Sequence, residues 1–296
     1  MSHEASTTVL ETPPLFLPRR KLLFTGRRAI AASALSSLVI LGTIVAVFYL
    51  APGGAAVRAF FFDPHQMWLS FKGDPAKSLS SIGSGILTNI WMFLVCEVMV
   101  LLFGLVIAWV RMTHSAVMFP FRVLSTIYTD VFRGIPILLV IFIVGYGLPA
   151  LSLGPLSTQS PAVYGCISLT ITYSAYVAEV YRAGITSVPN GQILAARSLG
   201  LTTGATMRRV ILPQAVRNVI PPLLNDFISM QKDTALVSTL GAIEATRAAQ
   251  IYASTEFNFS GYVVAALLFL ALTIPLTRFT DHLMAKDRAK RLAAAR

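Results

Sequence analysis

The chain has 296 residues, 55% of them hydrophobic and only 12% charged, with a mean hydropathy of +0.70, a balance that excludes a soluble globular domain because its surface would be one large apolar patch. A net charge of +11 would suit a nucleic-acid partner, but the Lys and Arg residues sit in short segments flanking apolar runs. That is the pattern of loops held on the cytoplasmic side of a membrane, so no nucleic-acid partner is expected.

The polar N-terminal tail, residues 1–28, carries Arg19, Arg20, Lys21, Arg27 and Arg28. The apolar run that follows, Ala29 to Leu50, is longer than a signal-peptide core and reads as an uncleaved anchor. An aromatic-rich segment, Ala51 to Gly85 with Phe60, Phe61, Phe62, Trp68 and Phe71, suits a re-entrant or interfacial element outside the cytoplasm. Five more runs approach the ~20 residues needed to cross a bilayer: Ile86 to Val110, Gly134 to Ala150, Ala162 to Tyr181, Ile220 to Leu240 and Tyr262 to His282. None alternates apolar with polar residues, which excludes a membrane barrel. The predicted fold class is therefore an all-α membrane protein of about six transmembrane helices, ending in a basic tail, 286–296.

Orientation follows from the basic residues. Nineteen of the 24 fall on one side: the N-terminal five, then Arg111, Arg122, Arg133, Arg182, Arg197, Arg208, Arg209, Arg217, Arg278, Lys286, Arg288, Lys290, Arg291 and Arg296. Only Arg58, Lys72, Lys77 and Arg247 fall on the other, with Lys232 inside a span, so both termini are expected in the cytoplasm. Cys96 and Cys166 lie in apolar runs as small hydrophobes, with no spacing of a disulfide framework or a metal site.

The long cytoplasmic connection, residues 182–219, has local punctuation. Asn190 is placed to cap a helix over Gly191 to Leu199, Gly200 to end it in a left-handed conformation, Thr202 or Thr203 to cap a second helix, and Pro213 to break or kink the chain before the next span. Its apolar side chains, among them Ile193, Leu194, Leu199, Leu201 and Met207, need a cover.

Within this connection, Leu194, Ala195, Ala196, Gly200, Val210, Ile211, Leu212 and Pro213 resemble the E-A-A-x3-G-x9-I-x-L-P signature of ATP-binding-cassette importer permeases. Leu194 stands where that family has Glu. The run Asp130 to Pro136 is similar to the E-L-F-R-G-T-P entry of the polar amino-acid subfamily, as are Ala175 to Gln192 and Lys232 to Gln250 to its other segments. The resemblance covers residues 86–285 and leaves the first span and its external loop, 29–85, as an addition to a five-helix type I importer core. It implies a permease for polar amino acids of the histidine, glutamine or glutamate type, working with two cytoplasmic ATPases, a second permease that is the same or homologous, and an extracytoplasmic amino-acid-binding protein. Opines or cystine are alternative substrates. The chain contains no G-x4-G-K-S/T phosphate loop, so it is not expected to be an enzyme or to bind a cofactor; ATP is used by the partner subunit. Coupling to that partner falls to Leu194, Ala195, Ala196, Gly200 and Pro213.

Charged groups inside spans should face protein or water, because each costs about 2.5–3.5 kcal/mol against lipid. Glu97, Glu179, Lys232 and Asp233 are such groups, and Asn225, Asp226, Ser229, Lys232 and Asp233 recur on one helical stripe. One reading makes Glu97, Glu179, Asn225, Ser229, Lys232 and Asp233 the translocation path, with Lys232 holding a substrate carboxylate. The other pairs Lys232 with Asp233 or Glu179, and Glu179 with Arg182, as structural locks. An ion-driven secondary transporter is the competing function; it would show a repeat of spans, and none is found.

Overall fold

The computed structural model describes residues 27–294, so the expected N-terminal tail lies almost wholly outside the described residues. Two compact units are present, one ending at Val57 and one beginning at Arg58. The first contains α1 (Arg27–Leu50) and the start of α2 (Gly54–Phe61). No residue of the Ile30–Leu50 stretch is buried, as suits a helix that is apolar on every side and meant for lipid.

The second unit continues with α3 (Pro64–Lys72), α4 (Ile82–Met112), α5 (Phe119–Gly134), α6 (Ile137–Ala150), α7 (Pro161–Thr186), α8 (Asn190–Ser198), α9 (Thr203–Thr206), α10 (Leu212–Asp233), α11 (Ala245–Glu256) and α12 (Ser260–Ala294). Sequence explains the starts. Asp63 caps α3 by accepting from His65 and Gln66 N–H, with Pro64 in the first turn where no N–H is needed. Ser81 caps α4 through Ser84 N–H.

Among the described residues, three helices are long and apolar enough to cross a membrane, Ile30–Leu50, Ile82–Met112 and Ser260–Lys286, and α5 with α6 add a fourth if that pair, bent by 111°, counts as one span. Two of the six expected spans are redrawn. Gly134 to Ala150 is only the second arm of a bent pair whose first arm, α5, was not expected. Ile220 to Leu240 is the end of α10 followed by a 3-10 stretch, Thr234–Leu240. α7 holds the expected span Ala162 to Tyr181, and both α7 and α10 are long helices more polar than those three stretches. The reason is burial: α7 is the centre of the bundle, with Leu169, Ala175 and Ala178 fully enclosed, and a helix faced by protein has no need of an apolar surface.

The core has two parts. Met92, Phe93, Cys96 and Val100 of α4 pack against Leu169, Tyr173 and Val177 of α7, together with Met230 of α10 and Val237. Ile82 and Ile86 pack against Ala245, Ala248 and Ala249 of α11 and Val264 and Ala265 of α12. Approach is close enough that a Cβ at Gly85 would stand 2.6 Å from the backbone N of Ala245. Residues 58–81 join this second unit. Phe259 N–H donates to Phe60 O (2.7 Å) and Asn258 Nδ2 to Ala59 O (3.1 Å), Tyr252 O–H donates to Gln66 Oε1, and Lys77 pairs with Glu256 at 2.8 Å. This part of the expected external loop is built onto α11 and α12.

Candidate translocation cavity and coupling loop

The loop after α7 is two helical pieces around a glycine corner. Gly200 has φ +82, and both bonds of a Schellman ending form there: Leu201 N–H to Ala196 O (3.2 Å) and Gly200 N–H to Arg197 O (3.0 Å). The expected corner is therefore present. Thr202 caps the next helix by accepting from Ala205 N–H, but Asn190 is not a cap. It is the first residue of α8, Pro189 precedes it, and no side chain caps the helix. Pro189 fixes the entry by its own geometry, which leaves the Asn190 amide nothing to do there.

Pro213 does not break the chain either. From Thr203 the helix runs through a π-type turn, Met207–Ile211, directly into α10, with Pro213 in its first turn. The widened turn absorbs the clash that a proline ring makes with the carbonyl four residues back. Of the signature residues, Ala196 is buried while Leu194 and the nearby Leu199 are 66% and 83% exposed.

The break between α5 and α6 has a simple cause: Ile135 is extended, and Pro136 cannot continue a helix for lack of an N–H. Irregular backbone at membrane depth is tolerated only where it is buried in protein or lines a cavity. Here it lines one of about 470 Å³, walled by residues 134–137 and Arg133 on one side, Thr172, Tyr173 and Tyr176 of α7, and Asp226, Ser229 and Asp233 of α10. A second cavity of about 300 Å³ shares Arg133, Tyr176 and Asp226, and extends past Glu179 to Ser187 and Asn218 beside the coupling loop.

The polar groups of the wall are unevenly satisfied. Tyr173 O–H donates to Asp233 Oδ2 at 2.7 Å. Tyr176 O–H donates to Arg133 O at 3.2 Å, and the Arg133 guanidinium lies over the Tyr176 ring at 5.9 Å. Asp226 Oδ2 is buried and accepts no hydrogen bond among the described residues.

The expected stripe on α10 divides in two. Asp226, Ser229 and Asp233, at i, i+3 and i+7, face the cavity; Asn225 and Lys232, one residue back at each end, are exposed and line none of the cavities described. The pairing of Lys232 with Asp233 or Glu179 is not formed. Glu179 is held instead by arginines, accepting from Arg111 Nη1 (2.8 Å), from Arg182 Nε (3.0 Å) and from Arg182 Nη2, with Arg133 Nη1 at 4.0 Å. Glu97, half-buried on α4, lies outside both cavity walls.

Sequence reasoning did not single out Arg133, Tyr173 or Tyr176 as site residues. Their position depends on the bend after Gly134, and the only local signal for that bend is Pro136. It also missed a buried lock at the other end. Asn89 Nδ2 donates to Glu244 Oε2 (2.9 Å) and to Thr234 Oγ1 (3.1 Å), while Glu244 caps α11 through Thr246 and Arg247 N–H.

The family model described as binding-protein-dependent transport system inner membrane component matches residues 100–286. A probable amino-acid permease protein of Bacillus subtilis, YxeN, is 36% identical over 187 residues, 63% of this chain and 82% of that protein. A probable glutamine ABC transporter permease of the same organism, GlnM, is 39% identical over 181 residues, 61% of this chain and 81% of its own length. Among solved structures, an amino acid ABC transporter crystallised with histidines aligns with a TM-score of 0.63 at 32% identity, covering 69% of this chain and 93% of that one. The MetNI methionine ABC transporter, at 16% identity and a TM-score of 0.59, shares the fold.

Proposed function

Because this chain belongs to the inner-membrane components of binding-protein-dependent transport systems, a multi-pass membrane family, we propose that it is the permease of an ATP-driven importer of polar amino acids and that the cavity between the α5–α6 break, α7 and α10 is its translocation path. Membership also sets aside the ion-driven alternative. The observation that carries the assignment of the path is the charge arrangement of the cavity wall. Arg133 and the N-terminus of α6, with its unpaired N–H groups and positive dipole end, stand ready for a carboxylate. Asp226 and Asp233 stand ready for an ammonium, and Asp226 Oδ2 has an acceptor position to fill. A zwitterion satisfies both sides, and the cavity is of a size that suits a small polar ligand.

ATP is bound and hydrolysed by separate cytoplasmic subunits, which dock on the coupling loop. Leu194 and Leu199 are the apolar surface of α8 available to them. When the ATPases close on ATP they draw the loops together, and α8 transmits this through α9 to α10, the helix that carries Asp226 and Asp233. A second permease, the same or homologous, covers the exposed face of α10: Lys232 directed at lipid would cost about 2.5–3.5 kcal/mol, so protein is the better neighbour. A binding protein delivers the amino acid from outside, and both termini of this chain lie in the cytoplasm.

Uptake by the complete importer in proteoliposomes tests the path. Asp226→Asn removes one charge-assisted bond, about 1.5–3 kcal/mol, so substrate affinity measured at the permease should fall roughly 10- to 150-fold. Basal ATPase activity should stay intact. Unchanged affinity in both Asp226→Asn and Arg133→Gln would remove the cavity from the path.

A further inference from the structure

We propose that a second, separate pocket, between α4, α5 and α7 at the coupling-loop end of the bundle, holds the phosphate of an anionic phospholipid. The pocket, about 330 Å³, is lined by Arg111, Arg122, Val123, Thr126, Ile127 and Arg182. It shares no residue with the translocation cavity, and its role does not depend on the substrate.

Three helix ends bring the arginines together. Arg111 is in the last turn of α4, Arg122 in the first turn of α5, and Arg182 near the end of α7, where the chain leaves for the coupling loop. No carboxylate lines the pocket. The acid nearest to the cluster, Glu179, accepts from Arg111 and Arg182 and offsets one of the three charges, which leaves an excess of positive charge. Arg122 has no part in that network. Its Nη1 donates to Thr113 O at 3.1 Å and its guanidinium lies over the Phe119 ring at 5.4 Å. A guanidinium has five N–H donors, so most of the donor capacity of Arg111 and Arg122 remains for an anion.

The remaining walls select an amphiphile over a soluble anion. Val123 is 41% and Ile127 54% exposed, and α5 continues the apolar surface with Phe119 and Leu124. Inorganic phosphate would leave that surface as it is. A phospholipid places its phosphate on the arginines at the end of a membrane-spanning helix and lays its acyl chains along the apolar side chains of α5, so both ends of one molecule find a matching surface. Basic pockets between transmembrane helices on the cytoplasmic side are the recognised setting for acidic headgroups.

The test is native mass spectrometry of the full-length chain, with its partner subunits where they co-purify, titrated with phosphatidylglycerol or phosphatidylcholine. Phosphatidylglycerol should bind in preference, and Arg122→Gln should weaken it about tenfold or more, as loss of a charge-assisted bond predicts. Arg122→Lys should retain part of the affinity. Because Arg122 does not touch Glu179, the variant should keep the Glu179 network and, once lipid is removed, lose only the small stability of its own contacts to Thr113 O and Phe119. Should it fail to fold, Thr126→Glu, which puts a carboxylate into the pocket, should abolish the preference. Equal binding of the two lipids by wild type, or displacement of phosphatidylglycerol by millimolar inorganic phosphate, would overturn the lipid assignment. Wild-type phosphatidylglycerol affinity in a folded Arg122→Gln or Thr126→Glu protein would overturn the site itself.

Discussion

Replacing Gly200 separates backbone geometry from surface contact in the coupling loop. At φ +82 a Cβ would meet nothing within 4 Å, so a side chain there is strained by its own backbone and not by a neighbour. A left-handed residue with a Cβ costs about 1–2 kcal/mol, more for a β-branched one, and Asn least because its side chain can bond locally. If Val forces the corner open, that strain is relieved but the two Schellman bonds at Gly200 and Leu201 are lost instead, at about 1 kcal/mol each. The order of damage should be Asn, then Ala, then Val, with Val reaching about 2 kcal/mol or roughly 30-fold in ATPase affinity. The corner lies outside the spans, so membrane levels should hold. Leu194→Ala provides the control, since it trims one exposed side chain without touching the corner and should be mild beside Gly200→Val. The assay is quantitative co-purification of the ATPase subunits, with amino-acid uptake measured on the same membranes. A flat response across the three substitutions, or wild-type uptake in Gly200→Val, would refute a mechanical role for the corner.

In Asp226→Asn, the affinity loss given above should be accompanied by normal assembly, which affinity chromatography of the complex would check. Lys232→Ala should leave substrate affinity in the cavity unchanged and weaken association of the two permeases, read by crosslinking or mass photometry; a fall in affinity with the pair intact would return Lys232 to the path. Glu244→Ala strips the cap of α11 and leaves the buried Asn89 amide with one acceptor fewer, so it should lose about 2–4 kcal/mol in unfolding, whereas Asp63→Ala, on the exposed cap of α3, should lose about 1 kcal/mol. Gly85→Ala sets a Cβ 2.6 Å from backbone atoms of Glu244 and Ala245, and should lower thermal stability more than Gly191→Ala, where the space is open. Equal effects of those two glycines would contradict the close packing of α4 on α11.

Apolar length, the sidedness of Lys and Arg, and local punctuation are properties of short stretches of chain, which is why the membrane class, α1, α4, α12 and the corner at Gly200 were legible without a structure. The loop signature was legible for the same reason. α7 was legible too, as the run Ala162 to Tyr181 inside Pro161–Thr186, but not which of its faces meets which neighbour. α7 carries polar residues because protein surrounds it, and the division of the α10 stripe into a cavity face with Asp226 and Asp233 and an exposed face with Lys232 depends on where α7 packs. Nor does a proline announce its effect: Pro136 turns the chain by 111°, while Pro213 is absorbed by a π-type turn. The sequence alone determined that the chain enters the membrane, where its most apolar spans lie and where the loop must turn, since those are fixed by solvent transfer and by single-residue geometry. Only the tertiary structure decided which charges share a site, because Arg133 and Asp226 on one cavity wall, or Arg111 and Arg182 on Glu179, lie far apart in the chain and come together only through the packing of α4, α5, α7 and α10.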